Sequence, residues 1–135
     1  MSFDRSKLQL LPLQKRIHDL DISVIRNCEE NFFSHPSFNK IAVNVKKANE
    51  AGKAIIMMIG GHVIRSGVQR YIIDMMEKGY ITCLAMNGSG VIHDFELALI
   101  GATTESVAHY IKEGQFGLWK ETGRINDIVN EAYQN

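Results

Sequence analysis

Two short apolar runs, residues 54–59 and 81–86, set the tightest limit on how this chain can fold. Neither alternates polar with apolar residues, and both are too short for an ordinary helix, the pattern of parallel strands covered on both faces. Gly60-Gly61 stops the first run and Asn87-Gly88-Ser89-Gly90 the second. A helical pattern follows each stop. After the first, Val68, Tyr71, Ile72, Met75 and Met76 fall on one helix face, closing at Gly79; after the second, a largely apolar helix runs from about Val91 to Ile100, ending at Gly101. Strand, small-residue loop, helix, repeated once, predicts an α/β fold with a parallel sheet and flanking helices. Sheets average about 5–6 strands. The expectation is therefore a single domain over 1–135, incomplete as it stands: the amino-terminal part of a longer domain, or one that takes strands from another copy.

The rest of the chain reads less sharply. The stretch from Leu8 to Asp21, which includes Pro12, lacks clear periodicity, and residues 1–22 are expected to form an extended lead-in. A helix is predicted from about Ser23 to Phe33, then a break at Ser34-His35-Pro36-Ser37, since proline drives its predecessor out of helical geometry. Phe38, Ile41, Ala42 and Val45 form the apolar stripe of the next helix, which Gly52 is placed to end. Thr103 or Thr104 is expected to cap a helix bearing Val107, Tyr110 and Ile111. A loop from Gly114 to Gly123 leads to a last helix carrying Ile125, Ile128, Val129, Ala132 and Tyr133. By the same periodicity Met57, Met58, Met75 and Met76 are core positions.

Charge and cysteine usage narrow the function classes. With 15 basic against 15 acidic side chains, and no basic cluster beyond the Lys46-Lys47 doublet, a nucleic-acid binder is not expected. The apolar runs are far shorter than the roughly 20 residues that a membrane helix needs. The amino terminus scatters Asp4, Arg5 and Lys7 among apolar pieces, unlike a secretory signal, so a cytoplasmic location is expected. Cys28 and Cys83 are isolated and read as buried thiols, not a disulfide. His18, His35 and His109 lack a ligand register, so no metal is expected and they read as surface or packing residues.

The candidate chemistry gathers at the two loops. In open parallel sheets ligands lie beyond the carboxyl ends of the strands, where glycine lets the backbone approach and free helix amides favour phosphate. A dinucleotide or anion site is one reading; strand termination by glycine is the other. Neither loop carries the Rossmann glycine fingerprint or a P-loop lysine. Asn87 and Ser89 can bond ribose or pyrophosphate, or serve as turn formers. His62, His93, Asp94 and Glu96 are the titratable groups of this region, with His93 the candidate general base. His93 and Glu96, three apart, share a helix face and read as a cooperating pair or a surface ion pair. For Asp94 the alternative is stabilisation of a helix start. Arg65 can meet a phosphate or carboxylate, or be a structural arginine.

From about Ile55 to Leu99, a third of the chain, the sequence resembles deoxyhypusine synthase. That family's strand-end segments run approximately Thr-Ser-Asn-Leu-Ile-Ser-Ser-Gly and Thr-Thr-Ala-Gly-Gly-Val-Glu-Glu-Asp. Here they read Gly60-Gly61-His62-Val63-Ile64-Arg65-Ser66-Gly67 and Met86-Asn87-Gly88-Ser89-Gly90-Val91-Ile92-His93-Asp94, aligned without a gap. The resemblance implies a Rossmann-like NAD-binding fold in a homo-oligomer, with Gly60, Gly61, His62, Ser66, Asn87, Gly88, Ser89 and Gly90 as cofactor contacts. His93, Asp94 and Glu96 are then the candidate catalytic groups. It further implies NAD-dependent transfer of an aminobutyl group from a spermidine-like amine. Against that activity, Ile92 and His93 stand where the family has paired glutamates, and no lysine matches the family's catalytic one. The alternative is a non-catalytic nucleotide-binding or assembly module of the same fold, or a subunit completed by a separate partner.

Overall fold

The computed structural model describes residues 4–30 and 35–134. The chain divides into two compact units, one formed by residues 1–22 with 91–135 and the other by residues 23–90.

The second unit contains both strands of the repeated pattern with their strand-end turns, and the helices that follow the first. Helix α1, Pro36–Glu50, starts where proline sits at the first helical position and the His35 imidazole accepts a hydrogen bond from the Ser37 amide at 3.2 Å. Strand β2, Ile56–Ile59, leads into the short helix α2, Gly61–Arg65, then α3, Gln69–Glu77, and strand β3, Cys83–Met86. The two strands pair in parallel with Ile56 opposite Cys83 and Ile59 opposite Met86, so their carboxyl ends lie level. Ile64, Ile72 and Ile81 form the buried apolar set.

Coverage departs from the expectation. Ile56 is 61% exposed and Met58 81%, so β2 is partly covered on one face and open on the other, and Met76 is exposed too. No residue of α1 is fully buried; of its predicted stripe only Val45 is partly covered. Continuous apolar sequence marks what a strand can bury, and the cover must come from other elements. Cys28 and Cys83 are unpaired as expected, but both are exposed. The helix expected over 23–33 is absent among its described residues: a single 3-10 turn spans Ile22–Val24, residues 25–30 are irregular, and 31–34 lie outside the described residues.

That irregular segment is pinned by backbone contact. The Arg26 amide donates to the Gly67 carbonyl at 2.8 Å, and the Glu29 amide to the Tyr71 hydroxyl at 3.1 Å. Gly67 has a φ of +76°, and a Cβ there would lie 1.8 Å from the Val24 carbonyl oxygen. Only glycine meets both demands.

The first unit holds the antiparallel pair of β1, His18–Asp21, with β4, Ala102–Glu105, in the register Leu20 opposite Thr103. The lead-in thus carries a strand, and Thr103 and Thr104 belong to β4 instead of capping a helix. Helix α4, Gly88–Ile100, begins three residues earlier than its apolar pattern suggested. Helices α5, Val107–Glu113, and α6, Arg124–Gln134, fall close to expectation. Leu13, Tyr110 and Trp119 are the buried cluster, with Leu11 and Ile100 packed against it. The stretch read as a loop contains an edge contact: Leu11 pairs with Trp119 in an isolated bridge. Among the described residues the sheets are one parallel and one antiparallel pair, so the parallel pairing that was expected is confined to β2 and β3.

Gly67→Ala should destabilise the protein by about 1–3 kcal/mol from backbone strain, and more from the clash. Gly52→Ala, at a φ of +61° with open space around it, should cost only the smaller strain. Denaturant unfolding of the two variants checks the contrast.

Candidate functional site

The turns after β2 and β3 are neighbours because the two strands are parallel and in register. Their contact is direct. The Gly61 amide donates to Ser89 Oγ at 3.2 Å, and a Cβ added to Gly60 would lie 3.7 Å from Asn87 Nδ2. Ser89 Oγ in turn donates to Asn87 Oδ1 at 2.8 Å, and the Gly90 amide reaches the same oxygen at 3.2 Å. Asn87 therefore caps α4 with its side chain, the role that its short amide group suits. The amides of Gly88 and Ser89 lie in the first turn of α4, where helix geometry provides no internal acceptor. Asn87, Gly88 and Ser89 are all exposed, and open space surrounds Gly88. Gly90 is buried, with a Cβ position only 3.2 Å from the Met86 side chain.

The loop residues separate by role. Gly60, Gly61, Asn87, Gly88, Ser89 and Gly90 come together at one rim. His62 lies on α2 beside it, exposed to solvent. Ser66 sits at the other end of α2, where its hydroxyl donates to the Val63 carbonyl at 2.7 Å and closes its own helix. Arg65 Nε is shielded from solvent and has no hydrogen-bond acceptor among the described residues.

His93, Asp94 and Glu96 lie further along α4, in the first unit. Asp94 is exposed. Glu96 is 2% exposed and its carboxylate receives both Arg16 guanidinium nitrogens, Nη1 at 2.7 Å and Nη2 at 2.6 Å. Thr103 Oγ1 donates to Glu96 Oε2 at 2.7 Å, and His93 Nδ1 lies 2.8 Å from the same hydroxyl. Sharing a helix face thus becomes sharing a threonine, and Glu96 makes a buried pair instead of a surface one. Neither Arg16 nor this role of Thr103 is legible in the sequence: an arginine in a segment without periodicity gives no pattern to find, and Thr103 carries the signal of a helix cap although it lies in a short strand.

Arg16 is held from other sides as well. Its guanidinium carbon lies 5.6 Å from the centre of the Trp119 ring, and its Nε donates to His18 Nδ1 at 3.3 Å. Burial, helped by the nearby Arg16 charge, lowers the pKa of His18 from the usual 6.5; Glu96 and a hydrogen bond to the Leu13 backbone oppose the shift. Among the described residues no three or more His, Cys, Asp or Glu side chains are grouped to hold a metal, and no helix is long and apolar enough to cross a membrane.

Residues 39–132 match the family described as arginine dihydrolase ArgZ-like, C-terminal, Rossmann fold. The chain belongs to this family. No match was found among curated proteins or solved structures. The match gives the chain an α/β Rossmann-like fold and overturns the likeness to deoxyhypusine synthase, with the aminobutyl transfer and spermidine-like substrate it implied. The reason lies in what carried that likeness. Gly67 is fixed by its contact with Val24 and Gly90 by its packing on Met86, both requirements of the backbone. Shared glycines of this kind report a strand–loop–helix framework, which unrelated activities have in common.

Two consequences are measurable. Arg16→Met should cost about 3–5 kcal/mol, because it leaves the Glu96 carboxylate buried and alone, whereas Arg16→Met with Glu96→Leu should recover most of that in denaturant unfolding. His18 has a folded pKa below its unfolded one, so its contribution to stability is present above 6.5 and is lost as pH falls through the depressed value. Relative to His18→Asn, the wild type should therefore lose stability on acidification below 6.5, read from unfolding midpoints across that range.

Proposed function

We propose that this ArgZ-like Rossmann unit binds a dinucleotide, NAD, along the rim formed by residues 60–62 and 87–90. One observation carries the reading: the Gly61 amide bonded to Ser89 Oγ, which ties two strand-end turns into a single backbone surface at level carboxyl ends. Rossmann-type sheets hold nucleotides at this place. The thirteen-residue helix α4 supplies the favourable end of a helix dipole together with the Gly88 and Ser89 amides, a setting for pyrophosphate. The exposed, side-chain-free Gly88 leaves room for close approach. Of the contacts the resemblance implied, Gly60, Asn87, Gly88 and Ser89 are the residues proposed to line the cofactor, with His62 at the margin, while Gly61 and Gly90 are buried and support the rim. Ser66, engaged with its own helix end, is left out.

The family's name refers to an arginine dihydrolase, and hydrolysis of a guanidine transfers no hydride. The role assigned to this unit is therefore cofactor binding, separate from that hydrolytic step. Calorimetric titration with NAD tests it, with NADP and AMP as parallel titrants. Binding of NAD is expected, weakened roughly 2- to 10-fold by Ser89→Ala, which keeps the backbone amide but removes the Gly61–Ser89 bond that joins the two turns, a neutral hydrogen bond worth about 0.5–1.5 kcal/mol. Gly88→Leu should fold normally, because open space surrounds that Cβ position, and should abolish binding. Failure of the folded protein to bind any of the three, or full affinity in Gly88→Leu, would refute the proposal.

A further inference from the structure

We infer that Arg16, Glu96 and Thr103 lock His93 in the tautomer protonated at Nδ1, making Nε2 the proton-accepting nitrogen of the ring. The inference rests on the direction of a hydrogen-bond chain and is independent of the nucleotide reading. Thr103 is fully buried and its hydroxyl has one proton. A carboxylate can only accept, so at 2.7 Å from Glu96 Oε2 that proton points to Glu96. The reverse direction would require a protonated Glu96. Two guanidinium contacts, at 2.7 and 2.6 Å with both side chains 3% exposed, hold the group as an anion. Thr103 then offers only lone pairs to His93, and the imidazole nitrogen 2.8 Å away must be the donor.

Neutral His93 consequently has its lone pair on Nε2. Whatever meets that nitrogen in the neutral state must bring a proton, which selects an alcohol or ammonium group over a carboxylate or phosphate oxygen. Adding a proton to the ring places it on Nε2 and leaves the hydrogen bonds that run from Arg16 through Glu96 and Thr103 to Nδ1 unchanged. Thr103 and Glu96 act here as positioning residues. His18 shows the opposite arrangement in the same network: its Nδ1 accepts from Arg16.

Long-range nitrogen–proton correlation NMR at about pH 8, above the ordinary histidine range, reads the tautomer directly. The chain has 5 histidines, and His93→Gln assigns the relevant signals. The expected spectrum shows Nδ1 protonated and Nε2 bare for His93. Thr103→Val should shift that signal toward the Nε2-protonated form, and Thr103→Ser should restore the wild-type pattern by returning the hydroxyl. A wild-type spectrum with Nε2 protonated would overturn the inference without any variant. So would a folded Thr103→Val protein that keeps the wild-type pattern.

Discussion

The pair between Arg16 and Glu96 is the constraint on which the first unit depends. Both side chains are 3% exposed, and taking two charges out of water is costly unless the geometry is good and the remaining atoms are bonded. Here the fork is bidentate, the third guanidinium nitrogen reaches His18, and Thr103 takes up a carboxylate oxygen. Each partner comes from a different stretch: the segment before β1, β1 itself, α4 and β4. The lead-in cannot detach without leaving a carboxylate buried alone. This is why residues that read as an unstructured approach to the fold are held within it, with Leu13 fully buried and its amide donating to Glu121 at 2.7 Å.

Strands were the most legible feature because a parallel pair needs apolar residues in sequence and an abrupt stop, and both are local properties. Ile56–Ile59 and Cys83–Met86 appear inside the predicted runs for that reason. What covers a strand is not local. Met58 reads as core by its neighbours yet is 81% exposed, since its burial depends on an element beyond the strand pair. The β1–β4 pair was invisible for a related reason: its members, His-Asp-Leu-Asp and Ala-Thr-Thr-Glu, are polar and short. Their pairing is specified by long-range contacts, including the Ile22 amide to the Gly101 carbonyl at 2.8 Å, which no window of sequence contains.

The rim was legible as two small-residue turns, and level strand ends brought them together. Its chemistry was harder to read. Asn87 and Ser89 stood between ligand contacts and turn formers, and the structure gives them a structural task already: Asn87 caps α4 and Ser89 bridges to Gly61. That task and ligand binding are compatible, because the cap occupies Asn87 Oδ1 and the Gly90 amide while the amides of Gly88 and Ser89 stay outside it. Glu96 is the reverse case. Its spacing from His93 was plain, but its burial was not, since a glutamate ordinarily faces water.

A rim built of glycines and backbone amides leaves little mark on side-chain identity, which is why the likeness to deoxyhypusine synthase carried no information about activity. Glycines at the rim answer to conformation and clearance, demands shared by every protein that turns a strand sharply into a helix. The side chains that distinguish one chemistry from another must lie further out. In this chain the network from Arg16 to His93 is such a feature: three polar groups in fixed order, ending on an imidazole whose protonation they determine. Neither its direction nor its membership follows from spacing, because Thr103 joins His93 to Glu96 only once β4 has folded beside α4.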